Sequence, residues 1–201
     1  MENLRSSDRL LVADAAAWRA WLDANESRSD GIRLVLAKKG VTEPTSLTYA
    51  EALEEALCSG WIDGRRNALD ELTFQQHFTP RRRASIWSLR NVDIVARLSA
   101  DGRMRERGQA EIERAKDDGR WDRAYAGQAA AEVPDDLVAA LAESPEAATR
   151  FASLNRAERY AAIHQVITAS SPTSRANRVG KFVATWATSD LDLPSRHTKS
   201  R

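Results

Sequence analysis

The chain has 201 residues, 42% hydrophobic and 29% charged, with a formal net charge of +1; that fits one large domain or two small ones with a real core. The near-neutral balance excludes a global pull towards nucleic acid or an anionic membrane, so any electrostatic role must come from local clustering. A single cysteine, Cys58, excludes an internal disulfide and a thiol-rich zinc site; with no apolar run of membrane length and no signal-peptide core, a soluble cytoplasmic protein is expected.

A polar leader over residues 1–12 runs into an extended piece at Leu10-Leu11-Val12. Asp14 is placed to cap a helix over about 15–25, with Ala17, Trp18, Trp21 and Leu22 on one face. Ile32–Leu36 alternates and is rich in branched residues, which predicts a strand. Thr48 and Glu51 have capping-box spacing, the stripe Ala52, Leu53, Ala56 and Leu57 follows, and Gly60 is the stop residue. Trp61–Arg65 and Leu72–Phe78 read as a hairpin whose second strand sets Leu72, Phe74 and Phe78 on one face, interrupted by Gln76. Pro80 ends that strand and the run Arg81, Arg82, Arg83 follows in a loop. Asn91 is expected to cap a helix over about 92–99 that Gly102 terminates. A longer helix over about 107–119 carries a weak stripe of Ala110, Ile112 and Ala115.

From about Ala126 every segment reads as helix: one from Pro134 to Leu141, one from Ser144-Pro145, one capped by Asn155 with Glu158, and one from Ser171-Pro172. The expected architecture is α+β. A domain over residues 1–125, with helices and a small antiparallel-containing sheet, precedes a helical C-terminal unit over 126–190 and a disordered tail over 191–201.

The stretch Cys58–Asn91 concentrates the residues able to hold a ligand. Arg81 and Arg82, beside Trp87, can bind phosphate or carboxylate bidentately; the alternative is that the arginines lie over the core and pair with Asp63, Asp70 or Glu71. Trp61 and Trp87 can stack on a ligand ring, or serve as core anchors with their N–H groups bonded inside. Asp63 can act as an acid or base if buried, or else form a turn or pair with arginine. His77, His164 and His197 stand alone without zinc-ligand spacing, so no metal and no cofactor is expected. Cys58 has no basic neighbour in sequence that would make it a nucleophile. On the last helix Arg175, Arg178 and Lys181 recur every three residues and read as a solvated basic face.

An ordered series of motifs carries a family resemblance over about residues 14–188. It comprises Tyr49-Ala-Glu-Ala-Leu-Glu-Glu-Ala-Leu-Cys-Ser-Gly-Trp-Ile-Asp-Gly64, Phe78-Thr-Pro-Arg-Arg82, Ile86-Trp-Ser88 with Asn91, and Gly102-Arg-Met104. Ala115-Lys-Asp-Asp-Gly-Arg-Trp121 and Asp135-Asp-Leu-Val-Ala-Ala-Leu141 complete it. With these the chain resembles the YdeI/OmpD-associated, or bacteriocin-protection, family. The resemblance implies a bacterial protein tied to a porin or to tolerance of antimicrobial peptides, and it supplies no catalytic residues. The expected function is accordingly a non-enzymatic accessory or stress-protection factor. It would capture a protein partner or small anionic ligand through Trp61, Asp63, Arg81, Arg82, Trp87 and Asn91. An anion-binding enzyme using Asp63 and the arginines is the alternative, and nucleic-acid binding the weakest reading.

Overall fold

A computed structural model describes residues 9–188; the leader before Arg9, the tail over 191–201 and His197 lie outside them. The chain divides into two compact units, residues 1–124 and 125–201. The fold is α+β, with a four-stranded sheet and helices in the first unit and helices alone in the described part of the second.

In the first unit the elements run β1 (Arg9–Leu10), α1 (Ala15–Asn25), β2 (Ile32–Ala37), α2 (Tyr49–Cys58), β3 (Trp61–Ala68) and β4 (Thr73–Pro80). Then come α3 (Leu89–Ala100) and α4 (Glu106–Asp117). The sheet order is β1-β2-β4-β3, with β1 parallel to β2 and the other pairs antiparallel. Local sequence explains most of the boundaries. Asp14 accepts from the Ala17 N–H at the start of α1, and Thr48 and Glu51 form a complete capping box on α2. Gly60 leaves α2 at φ +72°, a backbone conformation that glycine adopts without steric cost.

In the hairpin, Asp70 accepts from the backbone N–H groups of Leu72 and Thr73 and from the Thr73 hydroxyl, which fixes the turn. β4 therefore starts at Thr73, and Leu72, expected on the buried face, is 52% exposed. Gln76 does lie on that face, only 3% exposed, and its amide donates to the Gly64 carbonyl at 2.7 Å. That bond falls where β3 carries its irregularity between Asp63 and Arg66, so the polar intrusion is answered by a bulge carbonyl.

Helix α3 begins three residues before the expected start. Ser88, not Asn91, is its cap, accepting from the Asn91 N–H, and Asn91 is a buried residue of the first turn. In α4, Ala110 faces solvent while Gly108, Glu111, Ile112 and Ala115 are buried. A Cβ on Gly108 would stand 2.2 Å from the Cys58 carbonyl oxygen, so glycine is what lets α4 cross the end of α2 at this distance. The core joins Trp18, Leu22, Ile32, Leu34, Leu36, Leu53, Leu57, Trp61, Phe74 and Phe78 to Trp87, Leu98 and Ile112.

The second unit holds α5 (Asp135–Ala142), α6 (Pro145–Ser153), α7 (Arg156–Ile167) and α8 (Pro172–Thr188). Ser144 caps α6 with Pro145 in its first turn, and Asn155 with Glu158 caps α7. Leu137, Phe151, Ile163, Val166, Val179 and Trp186 form its core.

Candidate functional site

The six residues singled out in sequence fall into three neighbourhoods. Trp61 is fully buried, its ring edge-on to Trp18 and Trp21 with centroids 6.5 and 5.9 Å away. Trp87 is 1% exposed and packs on Trp121, centroids 5.0 Å apart. Both indoles are core anchors. Neither indole N–H has a hydrogen-bond partner among the described residues, unlike Trp18, which donates to the Ala52 carbonyl at 3.1 Å. An unmade bond costs about 1–3 kcal/mol, which the area buried by an indole and its aromatic contacts offsets.

Asp63 sits half-buried on the edge strand β3 and accepts from the Tyr49 hydroxyl at 2.8 Å. Its partner is thus a tyrosine from the start of α2 rather than a turn amide or one of Arg81–Arg83. Arg90 completes the group, with its guanidinium over the Tyr49 ring and Nη1 3.4 Å from the hydroxyl. Burial, followed by the Asp63 charge, pushes the Tyr49 hydroxyl above its ordinary value, so it stays protonated and donates.

The arginine run splits. Arg81 is 5% exposed, its guanidinium 3.5 Å from the Trp87 ring centre and its Nη1 donating to the Ile86 carbonyl at 3.3 Å. Its backbone N–H donates to the Gly60 carbonyl, which fastens the segment to the end of α2. Arg82 and Arg83 point into solvent and form no ion pair among the described residues. The backbone between them and α3 is tightly tied. The Arg82 N–H donates to Ser85 Oγ, the Ser85 N–H returns to the Arg82 carbonyl, and Arg120 Nη1 donates to the Ser85 carbonyl at 2.7 Å. Arg120 is itself buried and steadied by Asp118. Residues 81–90 thus form a strap in which Arg81 and Trp87 are packed and Arg82, Arg83, Ile86, Leu89 and Arg90 are exposed.

A second electrostatic centre has no local signature in the sequence. Glu55 on α2, 7% exposed, receives Arg103 on one carboxylate oxygen at 2.7 Å and Arg105 on the other at 2.8 Å. Arg105 also pairs with Asp23 and donates to Ser59 Oγ, while Arg103 and Arg97 both reach Glu54. Every charge here has a partner, and the cluster ties α1, α2, α3 and the turn before α4 together. Burial and then the Glu55 charge raise the Cys58 thiol above its ordinary value, which keeps it protonated rather than nucleophilic. Burial lowers His77 and His164 from their ordinary value, so both are neutral at pH 7.

In the second unit, Arg175 makes a bidentate pair with Asp136 and Arg178 donates to the Gln165 carbonyl. Two residues of the expected basic face therefore bind α8 to its neighbours. An open groove of about 570 Å³ lies beside that pair, lined by Glu132, Val133, Pro134, Asp135, Asp136, Ile167 and Arg175. Among the described residues no helix is long and apolar enough to cross a membrane, and no group of three His, Cys, Asp or Glu side chains could hold a metal ion.

Comparison with known families gives two matches. Residues 10–111 match a domain of unknown function (DUF8412), and residues 130–188 match the bacteriocin-protection, YdeI or OmpD-associated family. No curated protein and no solved structure matches the chain. The family inferred from the motif series is present, located in the helical unit; the motifs from Tyr49 to Met104 lie within the other domain. The second match supports a family-level accessory or protection role. Over half its length the chain belongs to the DUF8412 family, and its helical end unit matches the bacteriocin-protection, YdeI or OmpD-associated family.

Proposed function

We propose that this protein is a cytoplasmic accessory factor in stress or antimicrobial-peptide protection, and that it acts by capturing a protein partner rather than by chemistry. The observation that carries the reading is the strap. Among the described residues Arg82 and Arg83 stand exposed without a counter-charge, on a segment whose backbone is pinned by Arg81, Trp87 and Arg120. Free cations on a pre-ordered segment lower the conformational cost of docking. Of the six sequence candidates, Arg82 contacts the partner in this reading. Arg81 and Trp87 support the strap from inside, and Asn91 is buried in the first turn of α3 with its backbone N–H on Ser88. Trp61 anchors the core, and Asp63 is held by Tyr49 beside Arg90.

The name of the matched family suggests the test. A bacteriocin-sensitive bacterium expressing the chain is challenged with the bacteriocin, and survival is compared with that of a strain expressing the Arg82→Ala/Arg83→Ala variant at equal abundance. The expected result is protection by the wild-type chain and its loss in the variant. Equal protection by both would remove the strap from the function.

A further inference from the structure

Three features of the strap bear on what it would capture. First, its charge is uncompensated locally: residues 61–90 hold six arginines against Asp63, Asp70 and Glu71. Two of those carboxylates are already engaged, Asp63 by Tyr49 and Asp70 by Thr73. Second, the arginines flank exposed aliphatic surface. Among the described residues five large hydrophobics are more than a third exposed, and two of them, Ile86 at 37% and Leu89 at 46%, lie within this one short segment. Third, the segment is held in shape before any partner arrives, by contacts to Ser85, Ile86 and Trp87 from below.

Resting on the reading that this surface captures a partner, we propose that the partner presents a short acidic segment with an apolar side chain between its carboxylates. The carboxylates lie on Arg82 and Arg83, whose planar guanidiniums donate to them bidentately, and the apolar side chain lies against Ile86 and Leu89. An anionic bilayer offers negative charge too, but stable membrane anchoring takes a larger apolar insertion than two partly covered aliphatic residues supply, and the strap's one tryptophan faces inward. A carboxylate-bearing segment matches in charge the two adjacent exposed cations, Arg82 and Arg83.

The experiment uses the full chain and three probes: a labelled peptide alternating Glu and Leu, the same peptide with Gln for Glu, and phosphatidylserine vesicles. The acidic peptide is expected to bind and to weaken as salt rises. Binding should fall about tenfold or more in Arg82→Ala/Arg83→Ala, the size of a lost pair of charge-assisted bonds. It should fall about fivefold in Ile86→Ser, the size of a lost aliphatic contact. Circular dichroism melting of each variant separates lost binding from lost folding. Equal binding of the Gln peptide, capture of vesicles without the acidic peptide, or no binding to any probe would overturn the proposal. If the survival assay still depends on Arg82 and Arg83 after such a result, the capture surface stands and only the partner's chemistry is wrong.

Discussion

Two sets of arginines in the first unit face opposite ways. Arg103 and Arg105 run inward onto Glu55, each on its own carboxylate oxygen, in a site where the acid is 7% exposed. Arg82 and Arg83 run outward from the strap and meet water. The inner set is charge-paired around a buried acid, so removing Glu55 takes away the partner that joins Arg103 to Arg105. Exposed unpaired charges add little to folding. The inner set explains why the elements sit together; the outer set is free for recognition. Arg81 stands between the two: it comes from the outer run, yet it is spent on Trp87 and the strap's own carbonyl.

The sharpest way to break this contrast is Glu55→Ala, which removes the acid that Arg103 and Arg105 share and leaves them only Glu54 and Asp23 as partners. The expected loss is about 1–3 kcal/mol of unfolding free energy in urea, the size of charge-assisted bonds lost at a buried acid whose partners keep other carboxylates; a loss under about 0.5 kcal/mol would show the cluster to be surface-like. Gly108→Ala tests the same region by packing alone. The new Cβ meets the Cys58 carbonyl oxygen at 2.2 Å, and the forced shift of α4 from α2 should cost about 1–3 kcal/mol, read as a lowered urea midpoint.

Next in size is the response to acid. Burial tends to raise the Glu54 carboxyl, but hydrogen bonds from Arg97 and Arg103 outweigh it and hold the group below its ordinary value of 4.5. A carboxylate depressed in the folded state contributes stability that is complete above 4.5 and is lost as pH falls through the folded value. In the second unit, Asp136 is lowered by its hydrogen bond from Arg175 and follows the same sign. Melting temperature should therefore hold steady near neutrality and drop below the ordinary carboxylate range. Glu54→Gln should flatten part of that drop, and an unchanged acid profile in the variant would contradict the assignment.

Much of the fold was legible because it is written locally. Asp14, the Thr48–Glu51 box, Gly60, Gly102, Ser144-Pro145 and the Asn155–Glu158 box each act within one helical turn, and each stands where its residue type predicts. Asn91 misled because Ser88, three residues earlier, is an equally good cap, and the exposed Leu89 hides the true first turn. The site was harder to see. Arg81 and Arg82 are identical in sequence terms, and only the fold turns one inward and the other outward. Glu55 meets Arg103 and Arg105 from about fifty positions away, and the need for glycine at position 108 comes from Cys58 on another helix. No local pattern records such pairings. The Tyr49 hydroxyl, which claims Asp63, was hidden in the same way.

The division of labour among the arginines is tested most directly by urea unfolding of Arg82→Ala/Arg83→Ala beside the wild-type chain. The account predicts midpoints that differ by no more than about 0.5 kcal/mol in unfolding free energy, as for exposed side chains without partners. A loss of about 2 kcal/mol or more would place both guanidiniums among the groups that hold the fold, and the strap would no longer have free cations to offer a partner.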